Sequence, residues 1–300
     1  QLASKFIPVA KPAYLVPLKL DQAEAAIEIE GKQAEAIGLL QAIAKDHADH
    51  ELAPAATYNL AYSQVKADNF SAAVKTADEF LQRYPESDYR PDVLEVKADA
   101  LLIDDKPADA AKIYQLLLAD AKLKTNPKRN QWAMAAASCE FQQNNYQAVV
   151  SQLQPIVQTL PPGEKAQALH LIGTSEYQLK RYAAATTALT QALKAKPDAK
   201  PDSKQTSESR LFLCLSQLAQ KQFDAAKRTA DDLAAKHPSS KLLNQAFYRL
   251  GTDRYEAEQY SQAIELFQKV IDSPSANDQE KSNAIYSAGW SHLKAKQLPQ

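Results

Sequence analysis

The residues of this chain best suited to chemistry are two histidines set among carboxylates. His47 and His50 lie three residues apart in the run 46–51, which reads DHADHE. On a helix, both imidazoles would share one face, and together with a carboxylate they could bind a zinc ion. A solvated connection between two helices accounts for the same run, and we favour that interpretation. A metal protein or enzyme centred on these histidines stays open as a minor alternative.

Other motifs that support catalysis or cofactor binding are missing from the sequence. There is no glycine-rich phosphate loop, no pair of cysteines at metal-binding spacing, no His-Glu-x-x-His motif and no serine in a nucleophile elbow. Cys139 and Cys214 are interpreted as small buried hydrophobic residues. The sequence therefore predicts a protein that is not an enzyme, with no cofactor, no metal and no small-molecule substrate.

Composition restricts the class of partner. The chain of 300 residues has 35 basic and 36 acidic side chains, a formal charge of −1 at pH 7. Such a balance gives no overall field that would attract nucleic acid, so no nucleic-acid partner is expected. No run of about 18 apolar residues occurs, so no membrane span is expected either. The remaining class is a protein that binds other proteins.

A pattern of residue types recurs along most of the chain at intervals of 36 to 41 residues. Each copy has a small residue as its marker, an aromatic ring nine residues later in most copies, and a second small or slim residue twelve residues later. Self-similarity of this length is typical of a solenoid in which each unit is one helical hairpin. The small residues should lie where helices pack most closely. The markers are Ala61, Ala98, Ala137, Gly173, Cys214, Gly251 and Gly289.

These elements predict an all-α fold, a right-handed superhelical solenoid of antiparallel helix hairpins. Residues 53–300 would form six full repeats plus one truncated repeat, and residues 19–52 a divergent first hairpin. Residues 1–18 should be an extended N-terminal arm because Pro8, Pro12 and Pro17 interrupt them. The last helix keeps the apolar pattern without a second helix to cover it. Further repeats or domains are therefore expected beyond Gln300.

The first helices would line the concave side of such a superhelix. Residues three before, one after and four after each marker should then face a groove, and aromatic residues dominate these positions at both ends. Tyr and Trp favour binding surfaces because they give a large, rigid contact area at low entropic cost. The opposing possibility is that many of the rings pack against a neighbouring first helix. The predicted protein-binding groove comprises Tyr58, Tyr62, Phe141, Tyr177, Tyr248, Tyr255, Tyr286 and Trp290.

The repeat resembles the tetratricopeptide repeat (TPR) family. Its period exceeds the 34 residues usual for that family, and the early tryptophan of the family is replaced, for example by Thr57 and Phe247. The resemblance implies a solenoid that binds partner proteins. The groove positions hold no Lys or Arg, which disfavours the clamp by which some members bind chaperone tails. The residues that carry the resemblance include Ile172, Gly173, Tyr182, Ala185, Leu189 and Pro197, and Leu250, Gly251, Tyr260, Ala263 and Phe267.

Some copies also resemble repeats of bacterial envelope proteins that bind TolA or help to assemble outer-membrane proteins. The residues concerned are the hairpin exits YPES at 84–87 and HPSS at 237–240. This resemblance implies the periplasm or cell envelope of a bacterium, with the cytoplasm as the alternative. The predicted function is a non-catalytic scaffold or adaptor that binds a partner segment along the aromatic groove. The alternative is a structural subunit of a larger assembly that interacts through its convex face or its open C-terminal end.

Overall fold

All regular structure that the computed structural model describes is helical. The structure describes residues 12–29, 31–195 and 204–295, and this part of the chain contains fifteen α-helices, one 3₁₀ turn at Ala121–Leu123 and no strand. The helices are α1 Pro12–Ile27, α2 Gln33–Asp46, α3 Ala53–Lys66, α4 Phe70–Arg83, α5 Arg90–Ile103, α6 Pro107–Ala119, α7 Arg129–Gln142, α8 Tyr146–Leu153, α9 Pro162–Gln178, α10 Tyr182–Ala195, α11 Lys204–Ala219, α12 Phe223–Lys236, α13 Leu242–Glu256, α14 Tyr260–Ile271 and α15 Asp278–Lys294.

The helices fall into two compact units, divided between Asn144 and Asn145. The first unit contains α1 to α7, and the second contains α8 to α15. Within the first unit, side chains of α1, α2 and α3 share one hydrophobic core, so no break in packing marks residue 52. The proposed boundary between a first hairpin and a solenoid stays a prediction.

The extended arm predicted for residues 1–18 is wrong over its second part, because α1 begins at Pro12. Proline suits the first position of a helix, where its missing N–H would have no partner. Pro17 lies inside α1 and removes one backbone hydrogen bond. Burial of Val16 and Leu20 against α2 and α3 offsets that loss. Residues 1–11 lie outside the described part of the chain.

The residue nine places after the marker, an aromatic ring in most copies, is the first residue of a second helix. Phe70, Tyr146, Tyr182, Phe223 and Tyr260 begin α4, α8, α10, α12 and α14, and Pro107 begins α6. The spacing of nine residues from the marker therefore locates the start of the second helix in every described copy.

Most second helices end shortly before a proline, and α8 is the shortest of those described. It ends at Leu153 although Gln154 keeps helical backbone geometry, because Pro155 has no N–H to donate to the carbonyl of Ser151. Just beyond α8, Val157 is buried and Ile156 is half-buried. Pro197, which follows α10 in the sequence, lies outside the described residues.

The turn between the two helices of a hairpin has the same backbone geometry in six copies. The residue seven places after the marker has a positive φ of 56° to 61°. In one copy, the N–H of Lys180 donates to the carbonyl of Tyr177 and the N–H of Arg181 donates to that of Glu176. This pair of bonds is the Schellman motif, which ends a helix in the left-handed conformation. The six residues are Asp68, Asp105, Asn144, Lys180, Lys221 and Glu258.

Two of the predicted small positions lie in close contact with the paired second helix. At Gly173, an added Cβ atom would lie 2.5 Å from Cγ of Leu189, and at Gly251 it would lie 2.7 Å from Cε1 of Phe267. At Gly289, an added Cβ would meet nothing within 4 Å. The other four markers and the second small residue of each of the six full copies are completely buried.

Candidate protein-binding site

Four of the predicted groove residues meet in the second unit around an open pocket of 420 Å³. Its walls come from one face each of α13 and α15, and its floor includes Phe267 of α14. Residues spaced by three or four along a helix share a face, which explains why these side chains converge. We call this site the α13–α15 pocket. It is lined by Tyr248, Thr252, Tyr255, Phe267, Tyr286, Ser287, Trp290 and Lys294.

The rings of the α13–α15 pocket are held by contacts with one another and with α14. The Tyr248 ring lies 5.5 Å from the Phe267 ring, and the Tyr286 ring meets the Trp290 ring edge to face at 6.2 Å. The Tyr248 hydroxyl lies 3.2 Å from Oγ of Ser287, which links α13 to α15. Tyr286 and Trp290 are 68% and 42% exposed. Tyr248 and Tyr255 therefore form half-buried walls, whereas the two rings on α15 reach solvent.

Charge at the pocket is carried by Lys294. The described residues contain no partner for its ammonium group, and they offer no hydrogen-bond partner to the indole N–H of Trp290 or to the hydroxyls of Tyr255 and Tyr286. On the neighbouring face of α13, Arg254 pairs with Asp253 at 2.5 Å, and its guanidinium group lies 3.5 Å above the centre of the Phe223 ring.

Tyr177 is also a predicted groove residue of the second unit, but it does not line the pocket. Its ring packs against Phe212 of the next first helix, α11, at 5.2 Å and against Tyr182 at 5.7 Å. Burial raises the pKa of its hydroxyl, and the charge of Arg249 partly opposes that shift. At this position, packing between first helices is the better description.

In the first unit, Tyr58 is the centre of a row of three stacked tyrosines. Its ring lies 6.4 Å from Tyr62 and 5.6 Å from Tyr89, which is exposed. Burial, and then the charge of nearby Asp92, raises the pKa of Tyr58. Sequence reasoning missed Tyr89, which lies just before α5 and outside the groove positions. Phe141 is half-buried near the end of α7.

Carboxylates flank this row of tyrosines. The Lys128 ammonium group bridges Asp92 at 2.8 Å and Glu95 at 2.7 Å. Asp99, one turn further along α5, accepts a hydrogen bond from the Tyr114 hydroxyl, and burial raises the pKa of this carboxyl group. Each of these three carboxylates therefore has a partner side chain within the first unit.

His50 and His170 are hydrogen-bonded within the protein, and both cysteines are buried. Nδ1 of His50 accepts a hydrogen bond from the N–H of Leu52 at 3.1 Å, and no group of three or more His, Cys, Asp or Glu side chains in the described ranges could hold a metal. Burial lowers the pKa of His170 to about 4, and its Nδ1 lies 2.8 Å from the Ser209 hydroxyl. Burial also raises the pKa of Cys139 to about 11 and that of Cys214 to about 12.

Solved structures share this architecture. One is the C-terminal part of a TPR repeat-containing protein from Cytophaga hutchinsonii, with a TM-score of 0.64 and 14% identity over 88% of this chain and 98% of that chain. A TPR protein from Parabacteroides merdae has a TM-score of 0.55 and 13% identity over 91% and 98%. PilW, a type IV pilus biogenesis factor, has a TM-score of 0.53 and 16% identity over 79% and 99%. At such identities, the likeness concerns the fold.

A sequence model of the tetratricopeptide repeat matches residues 55–87 and 245–275. The matched segments coincide with the hairpins α3–α4 and α13–α14. These two segments of the chain are therefore tetratricopeptide repeats. The predicted family and the all-α fold class are thereby confirmed, and the second matched repeat is the one that carries Tyr248 and Tyr255. No curated protein matches this TPR chain significantly in sequence.

Proposed function

We propose that this TPR protein is a non-catalytic scaffold or adaptor that binds a segment of a partner protein along the aromatic groove of its first helices. The observation that supports the proposal most directly is the α13–α15 pocket, where four predicted groove residues surround open space. Repeats of this family generally mediate contacts between proteins, which supports the same function. Neither nucleic acid nor a small-molecule substrate is part of the proposal.

The side chains of the pocket suit protein recognition. Exposed Tyr and Trp rings bury a large area on binding and keep a polar tip for a hydrogen bond. Such residues dominate the free energy of many protein interfaces. Because Tyr248 and Tyr255 are braced by Phe267 and Tyr260, the walls lose little freedom when a ligand enters. The stacked tyrosines of the first unit belong to the same proposal.

Substitution of an exposed groove tyrosine tests this function. The partner is first identified by crosslinking in native extract with mass spectrometry, and its Kd is then measured for variant chains. Tyr286→Ala should raise the Kd by about tenfold or more, because a central interface residue contributes more than about 1 kcal/mol. Tyr14→Ala is the matched control, since Tyr14 on α1 is 62% exposed and lies outside the groove. An unchanged Kd for Tyr286→Ala, with crosslinks confined to second helices, would contradict the groove function.

The alternative, a subunit of a larger assembly, is favoured by exposed apolar residues of α15 that do not line the pocket. Ile285 and Leu293 are exposed there, and Gly289 between them has open space beside it. In the repeats of Gly173 and Gly251, the corresponding space is filled by a second helix. A helix from another chain could pack at this place. If Leu293→Asp disrupts the native complex while Tyr286→Ala leaves it intact, the assembly function is the correct one.

We also propose the periplasm or cell envelope of a bacterium as the compartment, with the cytoplasm as the alternative. The hairpin exits at 84–87 and 237–240 support this placement. Among the described helices, not one combines the length and the apolar character needed to cross a bilayer. Fractionation of cells that express the native protein distinguishes the two compartments.

A further inference from the structure

The polar groups that line the α13–α15 pocket without a partner share one chemical property, the ability to donate a hydrogen bond. The Lys294 ammonium group and the Trp290 indole N–H are donors only. The hydroxyls of Tyr255 and Tyr286 can also donate. A ligand that satisfies these groups must supply acceptors, and a carboxylate is the acceptor that an ammonium group binds most strongly.

The charge around the pocket points to the same ligand. None of the eight described lining residues is acidic. On α13, the carboxylate of Asp253 is held by Arg254. Arg249, beside Tyr248, is exposed, and its charge extends to the Tyr177 hydroxyl, whose pKa it lowers against the effect of burial. Glu256 and Glu258 are exposed but do not line the pocket.

The size and lining of the pocket indicate what accompanies the carboxylate. A volume of 420 Å³ lies within the range of roughly 300 to 1,000 Å³ that is usual for sites that enclose small ligands. It exceeds the volume of one side chain. The rings of Tyr248, Tyr255, Phe267, Tyr286 and Trp290 form most of the lining. An aromatic or long aliphatic side chain together with a neighbouring residue would fit this space.

We propose that the α13–α15 pocket binds an acidic aromatic segment of a partner protein. A large apolar side chain of the segment enters between α13 and α15, and a side-chain carboxylate next to it pairs with Lys294. This inference rests on the proposed function and specifies its ligand.

Short synthetic peptides test the inference without knowledge of the natural partner. All peptides are acetylated and amidated, so the only carboxylates are on side chains. Three have a central Trp flanked by Glu, by Gln or by Lys, and a fourth is the Glu peptide with Ala in place of Trp. Isothermal titration calorimetry measures each Kd. The Glu–Trp peptide should bind at least about tenfold more tightly than the Lys–Trp peptide, and the Ala peptide should bind more weakly than the Glu–Trp peptide.

Reversing the charge at position 294 tests whether Lys294 causes the preference for acidic peptides. Lys294→Glu should invert the order, so that the Lys–Trp peptide binds more tightly than the Glu–Trp peptide. Lys281→Glu is the matched control, because Lys281 lies on the same helix and does not line the pocket. The control should keep the order found for the unaltered protein. Equal effects of the two variants would overturn the pairing with Lys294.

The results also separate this inference from the groove function. If the three Trp peptides bind equally well and Tyr286→Ala abolishes their binding, the acidic preference is wrong and the groove function stands. If no Trp peptide binds while the natural partner still depends on Tyr286, the proposed ligand class is wrong. If Tyr286→Ala changes neither the Kd of the peptides nor the Kd of the natural partner, the groove function itself is overturned.

Discussion

At Gly251, one hydrogen atom in place of a methyl group sets the distance between α13 and α14. Phe267 occupies the space that a Cβ atom would need. The pattern of small residues predicted this closeness, because the markers recur at the same interval from the turn rings. The same pattern at Gly289 has open space beside it. The two glycines therefore offer one substitution in two opposite environments.

Gly251→Ala should lower the free energy of unfolding, and Gly289→Ala should not. Overpacking against Phe267 costs about 1–3 kcal/mol, which outweighs the roughly 1 kcal/mol that Ala gains over Gly in a helix. At Gly289 only the helical gain remains. Urea unfolding followed by circular dichroism measures both variants. Equal stabilisation by the two substitutions would show that α13 and α14 are less tightly packed than described.

Among the pocket residues, the aromatic side chains were predictable and the polar ones were not. Tyr248, Tyr255, Tyr286 and Trp290 lie at groove positions counted from the marker. Lys294 lies one residue beyond the last of these positions and was missed. Tyr177 occupies a groove position but packs on Phe212. Its environment depends on the ring that the next first helix presents, which periodicity does not specify.

At the scale of the helical hairpin, the recurrent left-handed residue is the least favourable feature of the turns. Glycine adopts a positive φ without steric cost, and Asn and Asp tolerate it, whereas other residues lose roughly 1–2 kcal/mol. Three of the six turns nevertheless contain Lys or Glu. The sequence alone did not reveal this geometry, because the usual glycine signal of a helix end is missing from these turns.

Lys180→Gly and Lys221→Gly should each raise the free energy of unfolding by about 0.5–1 kcal/mol. The gain is the relief of left-handed strain, less the extra backbone freedom of glycine in the unfolded chain. Lys227→Gly is the control, because Lys227 has helical geometry in α12 and the same change there should destabilise by about 1 kcal/mol. Thermal unfolding compares the three variants. Destabilisation at Lys180 and Lys221 would show that the lysine side chains contribute contacts that outweigh the strain.

The helices themselves follow closely from the sequence, with two exceptions that have local causes. Spacing from the markers located the start of each described second helix. Pro12 and Pro17 were read as signs of extended chain, yet the burial of Val16 and Leu20 stabilises a helix there. Pro155 ends α8 early, which the spacing of the repeat did not indicate. In both places, the effect of a proline on the helix depends on its position along the helix and on tertiary packing.

At the scale of the whole molecule, the two cysteines report on different units. Cys139 belongs to the first unit and Cys214 to the second, and both are completely buried. The raised pKa of each thiol and its burial make it unreactive in the native state. Cys214 shares a hydrophobic core with Leu250 and Phe267. Leu250 precedes Gly251 in the sequence, and the Phe267 ring packs against Gly251. In repeat proteins, stability depends mainly on contacts between neighbouring repeats.

Gly251→Ala should therefore accelerate thiol labelling of Cys214 much more than that of Cys139. Labelling is measured with an excess of a chromogenic disulfide in variants that retain one cysteine each. A local loss of about 1.4 kcal/mol increases the open population, and hence the labelling rate, about tenfold. Cys139 should change by less than about twofold. Equal acceleration at both thiols would show that the chain opens as one cooperative body.

The α13–α15 pocket lies between first helices of consecutive repeats, and its walls are joined directly by the contact of Tyr248 with Ser287. A bound segment would touch both repeats at once and act as a noncovalent crosslink between them. Separating these repeats would then require the segment to leave first. By mass action, the resistance of these two repeats to proteolysis would increase with the concentration of the binding partner.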